Sequence, residues 1–118
     1  MQKIRYTISM SEAPASTAET PERYKYVTED GKAEFEFDLV PCEDGTYFEI
    51  DIISAPGYGE RDAATSKTHR RQSTRGGEMV CIGDYKQACP TLEDAQKWAR
   101  IWADLTWKYI QTGEGFPG

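Results

Sequence analysis

From Thr91 to Thr112 the apolar residues recur with the period of an α-helix, and no other stretch limits the fold as strongly. At about 100° per residue, Leu92, Ala95, Trp98, Ala99, Trp102, Leu105, Thr106, Tyr109 and Ile110 share one arc roughly 140° wide. Glu93, Lys97, Arg100, Asp104, Lys108 and Gln111 fall on the opposite side. Both ends carry their signals. Thr91 stands as N-cap with Asp94 three residues on, and Gly113 offers a left-handed C-terminal stop. An apolar stripe of this width needs a partner layer. Trp107 falls on the polar flank, where an indole either leans over neighbouring apolar surface or stands as an exposed contact.

The rest of the chain reads as sheet and loop. Residues 3–10 alternate, with Ile4, Tyr6, Ile8 and Met10 on one side, and predict a half-buried strand. A small, polar, proline-containing connection follows at about 11–22. Strands are then expected over 23–28, 33–40 and 46–54. They are joined by a turn at Asp30-Gly31, read as type I′, and a longer one at 41–45, forming an antiparallel meander. A short apolar run at 78–83 predicts one more strand, buried between glycines. The fold class is therefore α+β. A four- to five-stranded antiparallel sheet is covered on one face by the long C-terminal helix, in a single domain of 1–118. The inward set is Ile4, Tyr6, Ile8, Phe35, Phe37, Leu39, Phe48, Ile50, Ile52, Val80 and Ile82. It packs against Leu92, Trp98, Trp102, Leu105 and Tyr109.

The meander contains a local choice that works against its own fold. Ala33, Phe35, Phe37 and Leu39 face one way, and Glu34, Glu36 and Asp38 the other. In the next strand Phe48, Ile50 and Ile52 alternate with Glu49 and Asp51. Pairing the apolar faces puts five carboxylates on one exposed face, although like charges opposed across strands destabilise a sheet. Acidic side chains are also poor strand formers. Such a conflict between levels marks a place to look for function. Glu34, Glu36, Asp38, Glu49 and Asp51 form the candidate partner-binding surface, set against a plain solvated face that discourages edge pairing.

Positive charge gathers elsewhere. Residues 57–77 form a polar loop without apolar periodicity that carries Arg61, Lys67, Arg70, Arg71 and Arg75, with the single histidine, His69, among them. Lys67, His69, Arg70, Arg71 and Arg75 make a candidate phosphate-binding set, since loop hydroxyls and arginines suit phosphate oxygens. No aromatic is interleaved between Arg61 and Arg75 to stack on bases, and a loop that folds back on the acidic hairpin neutralises it just as well.

Composition narrows the function classes. The net charge of −6 disfavours non-specific binding to nucleic acid or anionic membrane and suits a basic partner. No apolar run approaches membrane-spanning length and no signal-peptide core is visible, so a soluble cytoplasmic protein is expected. Cys42, Cys81 and Cys89 lack the close spacing of zinc knuckles, and reduced thiols are expected. There is no phosphate-binding loop, no cofactor or metal is implied, and no catalytic residue is assigned. The small size and acidic balance resemble those of proteins that titrate nucleic-acid-binding machinery, a likeness of composition only. The expectation is a non-enzymatic binding or inhibitory protein, monomer or homodimer, whose carboxylate face engages a basic protein, in one version as a nucleic-acid mimic. The alternative is a nucleic-acid-binding or phosphodiester-processing domain that works through loop 61–75, with His69 as its base.

Overall fold

The computed structural model describes residues 20–116, so the strand expected at 3–10, and with it Ile4, Tyr6 and Ile8, lies outside the described residues. Within them, five strands and two helices follow in the order β1 (Glu22–Val27), β2 (Glu34–Pro41), β3 (Phe48–Ser54), β4 (Arg70–Gln72), β5 (Glu78–Val80), α1 (Tyr85–Ala88) and α2 (Leu92–Thr112). The strands form one antiparallel sheet in the order β1-β2-β3-β5-β4. The first three make the expected meander. The fourth was not expected: it lies inside the long basic loop, and β5 inserts between it and β3.

The two turns of the meander are built alike because they share the sequence Glu-Asp-Gly. In the first, Thr28 donates its backbone N–H to the Ala33 carbonyl at 2.9 Å, and Gly31 adopts φ 74°. Asp30 sits inside this loop and accepts from the Thr28 hydroxyl at 2.7 Å and the Lys32 N–H at 3.0 Å. In the second, Cys42 N–H donates to the Tyr47 carbonyl at 2.9 Å and Gly45 adopts φ 73°. Asp44 accepts from the Thr46 hydroxyl at 2.7 Å and the Cys42 thiol at 2.8 Å. Each loop spans four residues with a single positive φ. The expected two-residue type I′ turn, which needs two, is therefore absent from the first.

The inner face carries the core. Phe35, Phe37, Leu39 and Ile50 are fully buried. The rings of Phe35 and Phe37 lie 6.2 Å apart, and both meet the face or edge of Trp102 near a right angle, at 5.8 and 6.0 Å. Ala95, Ala99 and Ala103 are also fully buried, so α2 presents small side chains where it crosses the sheet. Phe48, Ile52, Leu92 and Trp98 pack against this core but remain half-buried, and Leu105 is half-buried too. Both expected ends of α2 form: Thr91 Oγ1 accepts from Asp94 N–H at 3.1 Å, and Gly113 at φ 79° donates to Tyr109 O at 2.8 Å.

The first half of loop 57–77 is tied to that helix at Arg61, Asp62 and Thr68. Arg61 donates to the carbonyls of Ile110 and Gln111, each at 3.1 Å, where a helix end leaves acceptors unused. Tyr109 donates its hydroxyl to Asp62 O at 2.7 Å, and the Trp102 indole donates to Thr68 O at 2.9 Å. Thr68 is fully buried. A polar, aperiodic stretch thus becomes ordered because its backbone supplies the acceptors that buried tyrosine and tryptophan need. Helix α1 was also unexpected. Asp84 caps it by accepting from Lys86 N–H at 3.0 Å, and the buried Tyr85 hydroxyl donates to the Val80 carbonyl.

Candidate functional site: the charged outer face of the sheet

The alternation of β2 and β3 does place their carboxylates on one face. Asp38 and Asp51 are direct partners in the antiparallel register, and Glu49 lies opposite Val40. The expected like-charge opposition is therefore real, but cations reach it from two sides. On β1, Arg23 is the register partner of Asp38 and Lys25 that of Glu36. Arg23 Nε lies 2.5 Å from Asp38, and Lys25 Nζ 3.7 Å from Glu36. From the other side comes Arg75, carried by the turn between β4 and β5. It donates to both carboxylate oxygens of Asp51, at 2.6 and 2.8 Å, and to Glu49 at 2.8 Å. Ser73, buried in the same turn, donates its hydroxyl to Asp51 at 2.9 Å.

These pairs are of two kinds. Arg23 and Lys25 have side chains 51 % and 64 % exposed, so water and salt screen them and each contact is weak. The Arg75–Asp51 pair is drier, with the Asp51 side chain only 12 % exposed. Its fork geometry is the strong form of a charge-assisted hydrogen bond, and it holds the Arg75 guanidinium well above its ordinary pKa. The five-carboxylate set therefore divides. On β2, Glu34 is exposed, and Glu36 and Asp38 are half-buried beside the exposed Arg23 and Lys25, while Glu49 and Asp51 are tied to Arg75.

The second candidate set does not converge. Arg70 is turned inward, with its guanidinium on Glu78 and the Ala63 carbonyl, its Nε 2.7 Å from Thr68 Oγ1, and its plane 4.9 Å from the Tyr58 ring centre. Arg71 lies over Tyr85 at 5.9 Å, His69 stacks on Phe116, and Lys67 is exposed. Arg75 belongs to the acidic face. The loop that looked like a phosphate-binding arm spends two of its arginines on intramolecular carboxylates and a third, Arg61, on a helix end. Trp107, a possible exposed contact by sequence, is half-buried and donates its indole N–H to Asp30 at 2.9 Å.

Sequence reasoning offered the fold-back of the arginine loop onto the acidic hairpin, which Arg75 makes, but missed the two cations of β1. Arg23 and Lys25 alternate with Tyr24 and Tyr26, so their outward direction was readable from the same period that placed the carboxylates. Arg75 had no such signal. Among the described residues no cluster of three or more histidine, cysteine or carboxylate side chains could hold a metal ion. All three cysteines are free thiols: Cys81 exposed, Cys42 half-buried and Cys89 buried. No described helix is long and apolar enough to cross a membrane. Comparison with known proteins adds no further identity: no family model, no curated protein and no solved structure matches the chain.

Proposed function

We propose that the chain is a non-enzymatic binding protein that meets a basic protein partner through the outer row of β2, Glu34, Glu36 and Asp38. The observation that carries this reading is the unequal quality of the ion pairs on that face. Glu36 and Asp38 have exposed, weakly held intramolecular cations, which a partner's lysines and arginines can replace at small cost. The β3 carboxylates do not, so Glu49 and Asp51 serve the fold and leave the contact surface. Two exposed apolar side chains favour a protein over a small cation. Val27 is the register partner of Glu34, and Ile53 lies at the irregularity opposite Glu36 and Phe37. Apolar groups beside charged ones are the usual make-up of a protein contact. Association through such a surface is fast and salt-sensitive.

The test is capture of basic proteins from the native host at low salt, with elution by a salt gradient. Glu34→Lys with Glu36→Lys should abolish retention of whatever the native chain holds. Glu60→Lys with Glu93→Lys, an equal charge change off this face, should leave it intact. Equal loss in both variants would mean that only net charge matters, and retention by the first would remove the β2 row. Asp51→Lys is unsuitable because it reports on folding.

A further inference from the structure

On the helix side of the sheet, between the end of β5 and α2, lies an apolar cleft of about 350 Å³. Val80 and Ile82 contribute from the strand side, and Trp98, Ile101 and Leu105 from the helix. None of its lining residues is aspartate, glutamate, lysine or arginine. The acidic face and its partner have no part in it. The volume falls at the lower end of the roughly 300–1,000 Å³ range of small-molecule sites.

Two rings show what kind of contact the cleft makes. The Phe116 side chain, brought back after Gly113 and Gly115, stacks on the His69 imidazole with centres 4.7 Å apart and planes 14° from parallel. His69 is the one residue other than glycine with a left-handed backbone among the described residues, at φ 50°. That conformation costs a side chain free energy and recurs at functional sites, although histidine tolerates it better than most. A hydrogen bond from Cys81 N–H to His69 O at 2.8 Å holds it against the end of β5. Trp102 lies in the floor of the cleft, only 3 % exposed, with its N–H committed to Thr68. Among the described residues the cleft is open to solvent, since Cys81 is exposed and Ile101 keeps 38 % of its surface.

We propose that this cleft binds one small, flat, uncharged aromatic molecule, with a ring against those of Trp98 and Phe116 and with His69 as its polar contact. The lining holds no carboxylate, lysine or arginine, so a charged ligand would be desolvated there with His69 alone beside it, and an uncharged one is preferred. The size excludes a long peptide: Val27 and Ile53, the other exposed large apolar side chains, lie on strands of the meander and off this lining, so the cleft has no extended apolar track. The aromatic walls select a planar group, which stacks on them at the separations the protein's own rings already adopt.

Titration of the full chain with the neutral fluorophore N-phenyl-1-naphthylamine tests this. Saturable one-to-one binding is expected, with quenching of tryptophan emission and slower alkylation of Cys81 by iodoacetamide, followed peptide by peptide. The alkylation rate of Cys42 should not change. Ile101→Arg, at a solvent-facing rim position, should weaken binding at least tenfold while circular dichroism shows an unchanged fold. Should that variant not fold, Cys81→Arg, at another exposed rim position, must do the same. Absence of saturable binding, affinity unchanged in a folded rim variant, or a Cys81 rate indifferent to the fluorophore would each overturn the proposal.

Discussion

Asp38 and Asp51 stand directly opposite each other across β2 and β3, and each is held by an arginine from a different neighbour. Arg23 reaches Asp38 from the adjacent strand, in register. Arg75 reaches Asp51 from a turn that lies far along the chain. The sheet tolerates the opposed acids because an arginine flanks the pair on each side, in the row Arg23, Asp38, Asp51 and Arg75.

The two arginines should differ sharply in their contribution to stability. Arg75→Ala leaves Asp51 with a single hydroxyl donor in a largely buried place, and should destabilise the fold by about 2 kcal/mol. Arg23→Ala removes an exposed pair and should change it by less than about 0.5 kcal/mol. Urea unfolding of both variants measures the difference, and equal effects would contradict this division of the face.

The C-terminus of α2 is closed by two groups that crowd each other. A Cβ at Gly113 would lie 3.0 Å from Arg61 Nη1, on a backbone at φ 79°. Gly113→Ala should therefore cost about 1 kcal/mol through the left-handed conformation alone, and more if Arg61 is displaced. Arg61→Ala, which deprives two helix carbonyls of a charged donor, should cost about 1 kcal/mol. The double variant should cost less than the two together, because Arg61 is the group that the new methyl displaces; a thermal-melt double-mutant cycle reads this.

The matched hairpin turns predict a response to acid. Hydrogen bonds from the Thr28 hydroxyl and the Lys32 N–H hold Asp30 down to about 2, and those from the Cys42 thiol and Thr46 hold Asp44 down to about 2. Both lie below the ordinary carboxylate value, so the folded state favours the ionised form. The stability they add is complete above the ordinary value and is lost as pH falls through about 2. Melting curves between pH 5 and 2 should show Asp30→Asn with Asp44→Asn less stable at pH 5 and less steeply affected by acid. Native and variant curves that stay parallel would refute it.

Cysteine chemistry should follow burial. Desolvation pushes the Cys89 thiol up to about 12, so at pH 8 it stays protonated as well as covered. An aromatic disulfide reagent should label Cys81 first and Cys89 only on unfolding, read by mass spectrometry of the labelled peptides. Fast labelling of Cys89 in the folded protein would show that the core opens there.

Features with a local period were legible in the chain. The stripe and caps of α2, the three strands of the meander, and the shared face of the five carboxylates all follow from side-chain direction and from residues a few positions apart. Reading β1 by the same rule also yields Arg23 and Lys25, so half of the neutralisation of the face was in reach. The loop at 57–77 was not, because polar residues without a period carry no direction. It is ordered only once Trp102 and Tyr109 need its carbonyls and Asp51 needs Arg75.

By itself, then, the sequence determined which residues lie on which side of each regular element, since backbone geometry sets that without reference to the rest of the chain. Tertiary structure alone decided what meets across elements. It placed Arg75 on Asp51 and Arg61 on the end of α2, set β5 between β3 and β4, and brought Phe116 onto His69 beside an apolar cleft. Those contacts join residues up to 50 positions apart. They are chosen by burial and by the demand that buried donors find acceptors, two requirements that exist only after the chain has closed on itself.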